Sequence, residues 1–475
     1  MGSGEKFSCY EQNLPSWGNI VNLEEKFSLE VLQMLLRFTV ENWMSFRDPV
    51  TLDMIGTREE QHSNHLARVK DHRLKVLPVA VIYGANASGK SNLTKALAFA
   101  EKFVRNSPKE GAPIQVKPFL LDKNAPERPT RFCFEIFKAG QVYRYEFSVT
   151  SKRVEREALT RILPSRDVVL FERGPESFFL FEGAEDRENQ NFAFRGTQEN
   201  QLYLTNSVSQ KLSEFRPVFD WFDDDLFVID PATYYGRLPD MADQTHPRSK
   251  LMASRIRDLD CGIHSIRDAV IQAENTFPDG ILKALSEGLH GRNVLPLAKL
   301  GGEDGDFLRM DDGKPTVHRL TPVHRNEDGE DVDFRFADES DGTLRLLDLL
   351  PAFLLIERQD AVATFVIDEL DRSLHSNLTR NLLEHFLAGR EQTSRTQLIF
   401  TTHDTQLMTQ EIFRRDEIWI AERERSGVSR LLSFSEFKDV RKDKNIRTSY
   451  LKGRMGGVPK LSLSDADIEE RTVSE

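Results

Sequence analysis

The stretch Val76–Ser91, "VLPVAVIYGANASGKS", decides how the rest of the chain is read. Its first half is a continuous apolar run rich in β-branched residues and ending in Gly84, which predicts a buried strand. Its second half, Gly84–Ser91, matches the pattern G-x-x-x-x-G-K-[ST]. The residues that follow, "SNLTKALAFAEKFVRN", space Leu93, Ala96, Leu97, Ala100, Phe103 and Val104 along one face of a helix. Strand, glycine loop and helix in that order suit a phosphate. Gly84 and Gly89 let the loop take left-handed dihedrals, so that successive backbone N–H groups point inward. Lys90 is placed to reach the β- and γ-phosphates of a nucleotide, and the Ser91 hydroxyl to ligate magnesium. Asn86, Ser88 and Asn92 complete the candidate cofactor-binding set, for which ATP and Mg2+ are the expected occupants. The helix N-terminus adds its dipole.

Far along the chain, "FVIDE" (Phe365–Glu369) is an apolar strand ending in two acids. Asp368 is the candidate metal residue, through the water shell of magnesium, and Glu369 the candidate catalytic base for the attacking water. Lys90 and Asp368 lie 278 positions apart (368 − 90). Compact phosphate-loop enzymes fit this pair within one short domain. Here a β-rich meander and a helical block intervene, which is how the two-lobed ABC-type heads of SMC and repair ATPases are built. "LIFTTHD" ends a third strand at His403, the place of a switch histidine that contacts the γ-phosphate. "LDRSLH", Leu370–His375, sits where such ATPases have a loop crossing a dimer interface. In "FADESDGTLRLLDLL" (Phe336–Leu350), Ser340, Gly342 and Thr343 open an apolar helix, 26 positions before Asp368 when counted from Gly342. They are helix-cap residues. A helix start lined by a hydroxyl and free N–H groups is also an anion site, here expected to meet the γ-phosphate held by a second subunit. Asp338, Glu339 and Asp341 would repel that phosphate unless they point away.

The expected fold class is α/β, an ABC/SMC-like phosphate-loop head with a mixed sheet, an antiparallel β lobe and a helical insertion. Residues 1–33 read as a loose extension and 34–195 as a first lobe with the phosphate loop. That lobe holds a strand hairpin ("LLRFTVENWMSF", "VTLDMI") and an aromatic, alternating meander from Thr130 to about Phe194, including "NFAFRG". Residues 196–315 read as helical, 316–436 as a second lobe, and 437–475 as a basic tail. Loops are expected around Pro239–Arg248 and Gly301–Asp306; the acidic "GEDGD" of the latter has no partner motif and reads as structural.

Bulk composition narrows the class. Charged residues at 29% and hydrophobic ones at 39% are those of a globular chain, with Phe (32) far above Tyr (8). No run of about 18 apolar residues exists to span a membrane. The start, "MGSGEKFSCYEQ", lacks a basic-then-apolar signal, and Lys6 occupies the position where a myristoylation motif needs Ser or Thr. Cys9, Cys133 and Cys261 stand in no metal spacing, which suits a reduced, cytoplasmic protein. A net charge of −12 excludes a general nucleic-acid coat. Val440–Lys460 is the local exception, with seven Lys or Arg against one Asp; a solvated basic face and a phosphate-binding patch both fit it.

Together "VIYGANASGKSNL", "ESDGTLRLLDLLP", "VIDELDRSLH", "IFTTHD" and "YLKGRMGGVP" resemble the AbiL-type, abortive-infection group of bacterial AAA-family ATPases. The resemblance runs from about Met34 to Pro459. It implies an ATPase that forms a homodimer around ATP and is encoded beside an effector, commonly a nuclease of the RloB-like or TOPRIM kind. By position it implies one half-site of Lys90, Ser91, Asp368, Glu369 and His403, with Ser340, Gly342 and Thr343 supplied by the partner. Two departures stand out: "ESDGT" replaces the transporter-like LSGGQ, and no glutamine is assigned to the Q-loop, since Gln115 has poor context. Only 72 residues follow His403 (475 − 403), so a nucleolytic step is expected of a separate protein. An ATP-driven sensor in antiviral defence leads. A DNA-processing head of the SMC type is the alternative, and direct nucleic-acid binding stays open between them. A transporter subunit fits neither the signature nor the insertion.

Overall fold

The computed structural model describes residues 33–69, 72–231, 254–257, 261–271, 294–297, 303, 305–311, 314–358, 361–437 and 446–453. Expectations for residues 1–32, the loop Pro239–Arg248 and most of the basic stretch Val440–Lys460 lie outside them. The described chain divides into two compact units: 31–231 with 359–371 and 375–475, and 232–358 with 372–374.

The first unit is organised by a six-stranded sheet whose strands are β1 (Val79–Tyr83), β2 (Leu226–Ile229), β3 (Thr364–Ile367), β4 (Gln397–Thr401), β5 (Ile418–Arg423) and β6 (Ser429–Ser433). Their order is β2-β3-β4-β1-β5-β6, parallel throughout except for the closing β5–β6 hairpin. Every residue of β1, β3 and β4 is buried, which explains their unbroken apolar runs. The helix Lys90–Arg105 follows β1 and buries the face formed by Leu93, Ala96, Leu97, Ala100, Phe103 and Val104.

Beside it lies a seven-stranded antiparallel sheet, ordered Phe178–Leu180, Asp167–Arg173, Val154–Ile162, Gln141–Val149, Thr130–Lys138, Gln33–Glu41 and Val50–Asp53. The expected hairpin and meander are both here. One continuous core joins this sheet (Phe132, Phe134, Phe147) to the helix and to Ala80, Ile82, Val366 and Ile399 of the parallel sheet. Each such fully buried side chain contributes about 1.5–3 kcal/mol relative to exposure. A buried polar link also ties the two sheets. The register of Gln33–Glu41 shifts between Leu35 and Arg37, and the Gln397 side chain serves the backbone there. It accepts from Leu35 N at 2.7 Å and donates to Leu35 O at 3.0 Å and Leu77 O at 3.2 Å.

In the second unit a five-stranded antiparallel sheet joins Ser265–Ile271, Lys314–Arg325, Asp306–Asp311, Val294–Pro296 and Asp331–Asp333. The helix Asp341–Glu357 belongs to the same unit. Its Leu347, Leu350 and Leu354 share a core with Phe307, Leu320 and Phe336. Asp306 of the acidic loop is fully buried and takes both prongs of Arg319, at 2.6 and 2.9 Å, so its role is structural.

Two local readings change. "NFAFRG" is not a strand; it lies in the helix Arg187–Arg195, which buries Gln190 and Ala193 three positions apart while Phe194 stacks on Phe178 with ring centroids 4.1 Å apart. A short aromatic alternation fits either period, and the i, i+3 burial decides for the helix. Within the stretch expected to be helical from 196, the described residues hold helices up to Asp225 and again at 254–257, with strands among them. Leu226–Ile229, Ser265–Ile271, Val294–Pro296 and Asp306–Asp311 are strands; the first two pair with segments remote in sequence, and Asp306–Asp311 forms a hairpin with Lys314–Arg325.

Candidate nucleotide site

Parallel strands bring β1, β3 and β4 to a common edge, where their C-terminal ends carry Gly84, Asp368 and Thr401–His403. The loop after β1 has no room for a side chain at either of its glycines. A Cβ on Gly84 would lie 2.4 Å from Ala421 O, and one on Gly89, whose φ is 112°, would lie 2.7 Å from Ser429 Oγ. Asn86 is exposed at the tip, Ser88 is buried, and its hydroxyl has no hydrogen-bond partner. Lys90 is buried and folds back over the loop, donating to Gly84 O at 2.8 Å and Ala85 O at 3.1 Å. Burial pulls its ammonium down to about 8, against the opposing pull of Asp368, Glu369 and Asp371.

The first turn of the helix is gripped from outside. Asn92 donates to Ser45 Oγ at 2.7 Å, and its carbonyl accepts the Trp43 indole N–H at 2.8 Å. The loop carrying Trp43 and Ser45 joins Gln33–Glu41 to Val50–Asp53, and Ser45 O also accepts from Ser429 N at 2.8 Å. No motif marked Ser45 or Ser429, because both act through non-local pairing.

Ser91 and Asp368 meet: the hydroxyl donates to Asp368 Oδ1 at 3.2 Å across 277 positions. The same carboxylate oxygen accepts from Thr401 Oγ1 at 2.6 Å. Glu369 follows with a left-handed φ of 51°, its N–H donated to Thr401 Oγ1 at 2.8 Å. His403 is exposed, and its N–H donates to Asp371 Oδ2 at 3.2 Å. Partial desolvation and the nearby Lys90 charge hold its imidazole below the ordinary value, although Asp371, Glu369 and Asp368 pull the other way. Asp371, in "LDRSLH", was not singled out by the sequence, nor was Thr401.

Ser340, Gly342 and Thr343 belong to the other compact unit and are brought together with one another. Ser340 is exposed and caps the helix, accepting from Thr343 N at 3.1 Å, with the two hydroxyls 2.9 Å apart. A Cβ on Gly342 would lie 2.6 Å from Ser373 O, so the glycine is required by close packing. Two of the three acids are turned to local partners. Asp338 pairs with Arg335 at 2.9 and 3.0 Å, and Glu339 with His324 Nε2 at 2.6 Å. Asp341 is exposed in the first turn. Gln115 is exposed and its amide donates only to Pro113 O, at 3.4 Å.

The donor set fits a nucleotide with magnesium: a cradle that side chains would fill, a buried ammonium over it, and a hydroxyl and a carboxylate within reach of one ion. Among the described residues no three His, Cys, Asp or Glu side chains cluster as a metal cage. Nor, among them, is any helix long and apolar enough to cross a membrane.

Residues 79–409 match a family model described as "AAA domain, putative AbiEii toxin, Type IV TA system". No curated protein matches the sequence. Among solved structures, the chain is similar to the SMC head domain from Thermotoga maritima at 15% identity and a TM-score of 0.34, covering 84% of this chain and 98% of that one. It is also similar to an SMC head crystallised with the C-terminal winged-helix domain of ScpA, at 12% identity and a TM-score of 0.37, covering 85% and 99%.

Proposed function

The chain belongs to the AAA-domain family described as putative AbiEii toxin of a type IV toxin–antitoxin system, and from that premise we propose that it binds ATP with magnesium and hydrolyses it. The observation that carries this reading is the meeting of Ser91 and Asp368 at 3.2 Å beside a loop too tight for side chains at its glycines. Lys90 now donates to two loop carbonyls and would redirect those hydrogen bonds to the β- and γ-phosphates. Ser91 and Asp368 would hold magnesium, whose charge offsets that of the phosphates during transfer. Glu369 would orient and deprotonate the attacking water. His403, just past the end of β4, would donate a hydrogen bond to the γ-phosphate and report its presence.

The same reading has two copies closing around ATP. The capped helix start at Ser340, Gly342 and Thr343, with its exposed hydroxyl and with Asp338 and Glu339 engaged elsewhere, is suited to meet a partner's γ-phosphate. An ATP-gated dimer would act as a sensor in abortive infection, controlling a separately encoded effector such as a nuclease. The family description supports that setting. Among the described residues Cys133 and Cys261 form no disulfide, which suits a reduced, cytoplasmic one.

Steady-state hydrolysis by wild type and Glu369→Gln tests the site. Turnover should fall at least about 100-fold in Glu369→Gln with nucleotide still bound, by loss of the base. Wild-type turnover by that variant would remove Glu369 from the mechanism.

A further inference from the structure

We propose that Thr401 is the positioning residue for the reaction, a clamp that sets Asp368 and Glu369 in working geometry through a single hydroxyl. The inference rests on the ATPase reading above. Thr401 is the last residue of β4 and is fully buried. It touches three consecutive residues at the end of β3. Its Oγ1 donates to Asp368 Oδ1 at 2.6 Å and accepts from Glu369 N at 2.8 Å, and its carbonyl accepts from Leu370 N at 3.0 Å. The β3–β4 ladder runs to the Ile367–Phe400 pair, so Thr401 extends the grip one step past the strand, where the chain turns.

That turn needs holding. Glu369 has a left-handed φ of 51°, a conformation that strains a non-glycine residue and persists only where its surroundings over-determine it. The Thr401 hydroxyl does so on both sides of the 368–369 peptide. A hydroxyl has one proton and two lone pairs. The proton goes to the carboxylate, which fixes the direction of the bond, and a lone pair takes the N–H. The Asp368 carboxylate and the Glu369 backbone are therefore referenced to one oxygen. Ser91 reaches the same Oδ1 at 3.2 Å, so the residue expected to share magnesium with Asp368 is referenced to this clamp as well. Valine matches threonine in shape but supplies neither bond.

Turnover and fluorescent ATP-analogue binding are measured across a magnesium titration for wild type, Thr401→Val and Thr401→Ser. Misplacing a reacting group by an ångström costs on the order of 100-fold. Thr401→Val should accordingly lose about 10- to 100-fold in kcat and need more magnesium for half-maximal turnover, with analogue affinity within about threefold of wild type. Thr401→Ser, which keeps the hydroxyl, should recover most of the lost turnover. The inference falls if Thr401→Val matches wild type, or if Thr401→Ser is as slow as Thr401→Val. It falls too if Thr401→Val loses analogue binding together with turnover, which would assign Thr401 to the fold. A wild-type chain that hydrolyses no ATP overturns the ATPase reading and this inference with it; the other outcomes overturn the clamp alone.

Discussion

Lys90 bears an electrostatic cost for its place at the candidate site, since burial drives its proton affinity down to about 8. The sign for binding follows. As pH rises through about 8 the free chain loses this charge, whereas a bound triphosphate restores it, so binding near pH 8 should take up protons. Calorimetry in buffers of different ionisation enthalpy measures that uptake directly, and binding without it would mean that Lys90 does not meet the phosphates. Lys90→Ala should weaken ATP binding at least about 100-fold, the loss expected when a buried charge-assisted contact of a few kcal/mol is removed. Unchanged affinity in a filter or fluorescence assay would contradict this. Lys90, Ser91, Asp368 and Glu369 were legible because the loop pattern has fixed spacing and because an apolar strand ending in acids stands out. Thr401, Ser45 and Asp371 were not, since their roles follow from strand register, which no local pattern encodes.

The element that invites separate testing is the helix Asp341–Glu357, whose start is both a structural cap and the proposed trans contact. The two roles separate by mutation. Ser340→Ala removes the bond from Thr343 N and should cost about 1 kcal/mol of stability while leaving ATP binding intact. Ser340→Arg fills an exposed position, so it should spare ATP binding and folding but block dimer closure and slow hydrolysis. If Ser340→Arg dimerises and turns over like wild type, the stretch is only a cap. Gly342→Ala places a Cβ 2.6 Å from the Ser373 carbonyl oxygen, a backbone atom that cannot swing aside. It should destabilise by about 1–3 kcal/mol, seen as earlier unfolding in denaturant. At this scale the phosphate-loop helix, the hairpin and the meander were legible from long, clean periodicities. "NFAFRG" and the four-residue strand Leu226–Ile229 were not, because so short an apolar run fits helix and strand alike.

Over the whole molecule, the spacing of Lys90 and Asp368 pointed to an interrupted α/β head, and the antiparallel lobe between them is present. The order β2-β3-β4-β1-β5-β6 was not legible: it draws together residues from Val79 to Ser433, and parallel pairing of remote segments leaves no trace in local composition. The division into units that trade the segment 372–374 is hidden for the same reason. If ATP closes two copies around a shared site, as proposed, the mass of Glu369→Gln in solution reads that closure. Light scattering of this variant should give a monomer of 54.5 kDa without nucleotide and a dimer of twice that mass, 109 kDa, with ATP and magnesium. A variant that binds ATP yet stays at 54.5 kDa would contradict the account.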